Sequence, residues 1–208
     1  TQPFIDGAFV PARSGLTFTT HRPATGEVLA QIADCDESDV DAAVASARAA
    51  FEDGRWSGLS PAERKAALRA FADLIEERAQ EFIDIESIDA GKPVNDVAES
   101  DVPHVVEVLR YYAELIDKTY GKVAPRGAET LALVVKEPVG VVGAVLPWNF
   151  PIALVGQKVA PALAAGNTVV IKPPEQASLG TLHFARLWLG GGIPAGVHHV
   201  VAGRGGGP

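Results

Sequence analysis

Val139-Gly140-Val141-Val142-Gly143-Ala144-Val145 is an unbroken apolar stretch, and Leu146-Pro147-Trp148-Asn149-Phe150-Pro151 follows it directly. Over 152–165 the apolar residues recur at helical spacing, Gly166 stands where a helix stops, and Thr168-Val169-Val170-Ile171 opens a second apolar stretch. A further helical run over 179–189 leads to a third apolar stretch over 197–201. Strand, helix, strand, helix, strand, with the strands apolar on both faces, predicts an α/β fold around a parallel sheet covered on both sides. The uncharged span 138–157 is long enough on paper to cross a bilayer, but Pro138, Pro147, Pro151 and Asn149 would break or load such a helix. It is read as strand, loop and helix, with no membrane partner expected.

Upstream the signals differ. Short alternating segments at 4–10, 17–21 and 28–33, with Pro23-Ala24-Thr25-Gly26 as a turn, read as small strands. From Asp36 the period becomes helical, with Val40, Ala43, Val44, Ala47 and Phe51 on one face and Gly54 as the stop. Ser60-Pro61-Ala62-Glu63 is a capping box with proline at the first helical position, opening a helix to 78. Helices over 80–90 and around Val105, Val108, Leu109, Tyr112, Leu115 and Ile116 follow. Extended segments at 122–125 and 130–136 flank Arg126-Gly127-Ala128-Glu129 and read as a hairpin whose open edges invite a partner.

The chain has 208 residues, 18 Lys+Arg against 26 Asp+Glu, and a single cysteine, Cys35. One cysteine excludes a disulfide framework and a cysteine-based zinc cluster, which fits a reducing, cytoplasmic setting. A net charge of −8 with no cationic stripe argues against nucleic acid as a partner, because phosphate neutralisation needs clustered Lys and Arg. Residues 1–6 have neither a basic nor an apolar signal-peptide region, and the missing initiator Met with the Gly-rich last residues is read as an internal piece of a longer protein.

Open α/β sheets bind ligands beyond the carboxyl ends of their strands, so the two loops after the first two strands are the candidate site. In 146–151 two prolines fix the path and Asn149 offers an amide donor at a helix start. In Lys172-Pro173-Pro174-Glu175 a cation and an anion stand on a stiffened loop, and Glu175 there can accept both hydroxyls of a ribose while repelling a 2′-phosphate. The plainer readings are a helix cap at Asn149 and a solvated Lys172–Glu175 pair. No G-x-G-x-x-G joins a strand to a helix, Gly91-Lys92 and Gly121-Lys122 lack the Ser/Thr of a phosphate loop, and no G-x-S-x-G is present. His198 and His199 adjoin in a strand and point to opposite faces, so they cannot share one ion. Asp34, Asp36 and Glu37 raise the pKa of Cys35 by like-charge repulsion, making it a poor nucleophile.

Pro147-Trp148-Asn149-Phe150-Pro151, Lys172-Pro173-Pro174-Glu175-Gln176 and Gly192-Ile193-Pro194-Ala195-Gly196-Val197, in order and without gaps, resemble the aldehyde dehydrogenase superfamily. Asp89-Ala90-Gly91-Lys92-Pro93 and the early Pro23-Ala24-Thr25-Gly26 extend the likeness over essentially the whole chain, and within the superfamily it is similar to bacterial enzymes acting on amino aldehydes, such as gamma-glutamyl-gamma-aminobutyraldehyde dehydrogenases. The resemblance implies a Rossmann-like sheet and NAD(P)-dependent oxidation of an aldehyde to a carboxylate through a thiohemiacetal on a cysteine. It implies Asn149 as the side-chain donor of an oxyanion hole, Lys158 as part of a charge relay, and Leu146, Pro147 and Trp148 as cofactor contacts. Lys172 and Glu175, with Pro173 and Pro174 between them, match the adenosine-ribose contacts. Gly205 matches a further cofactor glycine, and Asp89 and Gln176, with backbone near Thr20, match a monovalent-cation site. Glu175 selects NAD over NADP.

The expected organisation is a helical and short-strand part of the cofactor domain at 1–120, an oligomerisation hairpin at 121–137, and the first half of a Rossmann-like core at 138–208, in a protein that forms homo-oligomers. The family's nucleophilic cysteine and general-base glutamate have no counterpart in these 208 residues, so the chain alone is expected not to turn over aldehyde. His199 stands in place of a usual Asn, and Gly190 and Gly191 are expected to weaken a helix end by about 1 kcal/mol each. The alternative is a non-catalytic nucleotide-binding or interaction module; an NADP-preferring semialdehyde dehydrogenase is the reading that Glu175 opposes.

Overall fold

The computed structural model describes residues 1–204, of Leu189 the backbone alone. The chain opens with a tight hairpin, β1 Phe4–Ile5 and β2 Ala8–Phe9, whose two loop residues Asp6 and Gly7 both have positive φ (52° and 78°). An Asp-Gly pair supplies that mirror-image turn with least strain, and it matches the twist of the flanking strands. β3 Thr17–His21 and β4 Val28–Ala33 pair antiparallel as a separate ribbon.

Three helices follow. α1 Glu37–Glu52 is capped by Asp36, with Asp39 closing the box in return, and α2 Pro61–Glu77 by Ser60 with Glu63. α3 Ala79–Asp89 follows α2 with only Arg78 between them. A short turn, α4 Val94–Asp96, runs through a π-helical turn, Val97–Asp101, into α5 Val102–Leu115. β5 Lys122–Ala124 and β6 Ala132–Val134 form a second detached ribbon, on which Val123, Leu133 and Val135 face solvent. Then come β7 Val141–Val145, α6 Pro151–Ala164, β8 Thr168–Lys172, α7 Leu179–Trp188 and β9 His198–Val200.

β7, β8 and β9 are parallel and in register, Val141 beside Thr168 and Val169 beside His198. The sheet has five strands in the order β2-β1-β9-β8-β7, because β1 adds antiparallel to β9 through Phe4 and Val200. α1 covers one face, where Ala43 and Ala47 meet Val170 and Val201. The opposite face packs under α6, α7, α2 and α5 in the main core. Phe71 sits edge-on to Trp188 at 4.5 Å between ring centroids and to Phe184 at 4.9 Å. Trp56 is buried there and donates from its Nε1 to the Leu163 carbonyl at 3.1 Å.

Two expectations need correction. β7 is not buried on both faces, since it is the sheet's edge among the described residues and Val145 is 76% exposed. Gly190 and Gly191 do not weaken α7, which ends at Trp188; they lie in the 3-10 turn Leu189–Gly191. Gly191 is there for space, because a Cβ would come within 2.9 Å of the Phe71 Cβ. The helix expected around Val105 to Leu115 is α5, which follows the π turn directly.

Candidate active site

The loops after β7 and β8 lie side by side because their strands pair in parallel register, Val145 beside Lys172. The Leu146 N–H donates to the Lys172 carbonyl at 3.0 Å and continues the ladder by one step past the strands. Leu146 is buried and anchors its loop; Pro147, Trp148, Asn149 and Phe150 face outward. Asn149 does not cap α6: the cap position belongs to Phe150, with no side-chain cap bond, so the Asn149 carboxamide stays at the surface. Lys158 is exposed on α6, about 10 Å along the helix from Pro151 at 1.5 Å per residue, so the structure does not bring it together with Asn149.

On the second loop Pro173 and Pro174 are buried, while Lys172 and Glu175 are half-buried. The Ser178 hydroxyl donates to the Pro174 carbonyl at 2.6 Å and closes the turn into α7. The Gln176 amide donates to Glu175 Oε1 at 3.2 Å. Gly205 lies outside the described residues.

Behind both loops stands α3, with two buried carboxylates one turn apart. Glu86 Oε1 accepts the Ile152 N–H at 3.2 Å, in the first turn of α6. Asp89 Oδ2 accepts the Leu179 N–H at 2.7 Å, in the first turn of α7, and the Thr20 hydroxyl donates to its Oδ1 at 3.4 Å. Each carboxylate meets the positive end of a helix dipole and satisfies an otherwise unpaired amide. Burial dominates their titration all the same, pushing Glu86 up to about 8 and Asp89 up to about 6. Lys92 pairs with the buried Asp101 and sets its ammonium 4.0 Å from the centroid of the Phe150 ring. Sequence reasoning assigned no role to Glu86 or Lys92; the i, i+3 spacing of Glu86 and Asp89 on a helix with other apolar positions was the available signal.

The monovalent-cation residues are only partly assembled. Thr20 meets Asp89, but both Asp89 oxygens take protein donors and Gln176 turns its amide to Glu175. No group of three His, Cys, Asp or Glu side chains among the described residues could hold a metal ion.

Cys35 is a poor nucleophile for a reason other than its immediate neighbours. Burial leads, with Asp39 next, and its thiol is pushed up to about 12. His198 stacks on Trp188 at 4.0 Å, while His199 accepts the Asp6 N–H at Nδ1 and bonds the Gly196 carbonyl through Nε2, so the two rings serve different faces. A groove of ≈ 550 Å³ between α2 and α5, lined by Val102, Val106, Arg110 and Tyr111 among others, shares no residue with either loop.

Sequence comparison places these features among known proteins. The chain is 55% identical over 202 residues to an aminoacetaldehyde dehydrogenase of Pseudomonas aeruginosa, covering 97% of this chain and 41% of that one. It is 46% identical, with the same coverage, to an NADP/NAD-dependent aldehyde dehydrogenase of Escherichia coli. The structure superposes on gamma-glutamyl-gamma-aminobutyraldehyde dehydrogenase from Burkholderia cenocepacia with a TM-score of 0.96 at 50% identity, over 98% of this chain and 41% of that one. The TM-score is also 0.96, at 45% identity and the same coverage, for a P. syringae indole-3-acetaldehyde dehydrogenase solved with NAD+ and IAA. The chain thus spans about 41% of the length of the curated relatives named above. With the profile of the aldehyde dehydrogenase family matching residues 9–207, both strand-end loops included, the chain belongs to that family.

Proposed function

We propose that this chain is the N-terminal, cofactor-binding portion of an NAD-dependent aldehyde dehydrogenase acting on an amino aldehyde. The observation that carries the reading is the juxtaposition of the two loops at the carboxyl ends of parallel β7 and β8, with Asn149 outward on one and Glu175 on the other. The relatives named for aminoacetaldehyde and gamma-glutamyl-gamma-aminobutyraldehyde support the substrate class. NAD, when bound, supplies the hydride acceptor.

The residues divide the work. Glu175, held on a loop stiffened by two buried prolines, accepts ribose hydroxyls, and its charge disfavours a 2′-phosphate. Leu146, Pro147 and Trp148 present the wall against which the cofactor lies, with Lys172 at the end of β8 beside it. Asn149 donates its side-chain N–H to the aldehyde oxygen as negative charge develops there, and loss of such a donor costs about 10²–10³ in rate. Lys158, on the exposed side of α6, is the candidate member of a charge relay that does not include Asn149. Cys35, with its raised pKa, is not the thiol that attacks the aldehyde. The β5–β6 ribbon, with its exposed valines and leucine, pairs copies of the protein into a homo-oligomer. Cytoplasmic placement fits the free Cys35, and no described helix is long and apolar enough to cross a membrane.

Thermal-shift titration of the 208-residue chain with NAD tests the reading. NAD-dependent stabilisation that grows with concentration and is lost in Glu175→Ala is the expected outcome. No shift at millimolar NAD would leave a non-catalytic interaction module in its place.

A further inference from the structure

Asn149 sits on a loop with little internal structure, and its usefulness as a donor depends on what holds that loop. One end is fixed by the Leu146–Lys172 backbone bond. The other end enters α6 without a side-chain cap, and the groups that meet it come from a remote part of the sequence. Glu86 on α3 takes the Ile152 N–H, three residues after Asn149. Lys92, just past the end of α3 and held by Asp101, takes the face of Phe150, the residue next to Asn149. The fit around Glu86 leaves no slack: a Cβ at Gly180 would stand 2.7 Å from Glu86 Oε2 and 2.8 Å from Ile152 Cγ2. Glu86 Oε2 itself has no hydrogen-bond partner, so the buried side chain is spent on a single backbone contact.

We infer that Glu86 and the Lys92–Phe150 contact are a two-point positioning device for the Asn149 loop, Glu86 setting the start of α6 and Lys92 setting the ring that precedes it. The catalytic meaning of this device rests on the oxyanion reading of Asn149; the device itself does not. Its consequence is that the α6 end of the loop is set by α3 and the segment just after it, while the other end is set by the sheet.

The test reads the loop directly in the 208-residue chain. Trp148 adjoins Asn149 and is 62% exposed, whereas Trp56 and Trp188 are buried in the core. Labelling with 5-fluorotryptophan therefore gives three fluorine resonances, and Trp148→Phe identifies the loop's own. Glu86→Ala is expected to shift or broaden the Trp148 line by more than its linewidth while the two core lines stay in place. Glu86→Gln keeps an oxygen for the Ile152 N–H and restores the parent line. Lys92→Gln, which keeps a donor for Asp101 but removes the charge over the Phe150 ring, moves the Trp148 line alone and decides the matter should Glu86→Ala fail to fold. An unmoved Trp148 line in Glu86→Ala and Lys92→Gln would overturn the inference, as would all three lines moving together or a Glu86→Gln line as perturbed as that of Glu86→Ala. Failure of the oxyanion reading is seen separately, as unimpaired aldehyde oxidation by Asn149→Ala in the complete enzyme.

Discussion

Asn167 offers the sharpest test of how the sheet is assembled. It is buried between α6 and β8, and its carboxamide makes two bonds of 3.0 Å: the Gly140 N–H donates to Oδ1, and Nδ2 donates to the Ala162 carbonyl. One side chain thus ties the end of α6 to the residue that precedes β7. In Asn167→Ala the buried Gly140 N–H loses its partner, at about 1–3 kcal/mol. The Ala162 carbonyl keeps the Asn167 backbone N–H at 3.0 Å, so its loss is the smaller, about 0.5–1.5 kcal/mol. The sum, roughly 1.5–4.5 kcal/mol, corresponds to a fall in Tm of roughly 3–18 °C for a chain of this size. Asn167→Asp separates the two bonds. It keeps the acceptor for Gly140 but turns an oxygen towards the Ala162 carbonyl, so its folded state favours the protonated acid. That variant is expected to gain stability as pH falls, while the parent does not gain in step. Urea unfolding followed by circular dichroism at several pH values measures both. An Ala variant within about 0.5 kcal/mol of the parent would refute the reasoning, since that is the range of inert surface changes.

Three further outcomes are expected. Glu175→Ala should shrink the preference for NAD over NADP about tenfold or more, the worth of a charge-assisted hydrogen bond, as read by calorimetric titration of each cofactor; an unchanged ratio would move the selection elsewhere. Gly191→Ala places a Cβ 2.8 Å from Phe71 Cδ2 and 3.1 Å from the Phe71 Cα, and should destabilise by about 1–3 kcal/mol in urea, whereas an unshifted midpoint would show slack in the turn. Stability should peak near neutrality. Burial lowers the pKa of His183, His198 and His199, so their contribution is present above the ordinary 6.5 and is lost as pH falls below it. Burial raises Glu86 from 4.5 to about 8 and Asp89 from 3.8 to about 6, so theirs is present at low pH and is lost as pH rises towards 8. Lys92 faces Glu86 and opposes that shift, Asp101 and Asp89 add to it, and Glu86→Gln should flatten the fall of a Tm-against-pH curve between 6.5 and 8 and steepen its rise between 4.5 and 6.5, where the Glu86 loss otherwise offsets the histidines.

The parallel core was legible because its evidence is local and periodic: apolar runs of strand length, helical spacing between them, and Gly166 at the φ of +92° that ends α6. The capping box at Ser60 and Glu63 was readable for the same reason. The addition of β1 to the sheet was not, since a two-residue strand pairs with a partner some two hundred positions away and only the Asp6-Gly7 turn announces its hairpin. The edge position of β7 was hidden too, because an apolar run records that a strand is to be covered and not by what. At the site, Asn149 and Glu175 stand out by residue type on proline-rich loops. Glu86 and Lys92 do not, because their importance lies in contacts with Ile152 and Phe150 more than fifty residues downstream. Cys35 shows the converse error: the direction of its shift could be read from neighbouring carboxylates, while its main cause, burial, belongs to the folded chain.

The two edges of the sheet are unlike, and the difference bears on where chemistry can occur. On the β9 side the sheet ends in a two-residue hairpin, too short to template another strand. On the other side β7 presents five residues with no strand beside them among the described residues, flanked by exposed Val139 and Val145. Successive strands here step in one direction, from β7 through β8 to β9. Any strand added to β7 would reverse that direction, and the reversal point of an open α/β sheet is where its ligand crevice forms. The loop bearing Asn149 leaves the carboxyl end of β7 and the loop bearing Glu175 that of β8, one strand further from the reversal. On the proposed reading of the two loops, a dinucleotide would lie with its ribose at Glu175, away from the crevice, and with its reacting end at Asn149. That order would suit the chemistry of the two side chains, a carboxylate fitted to hydroxyl donors and an amide fitted to a developing oxyanion.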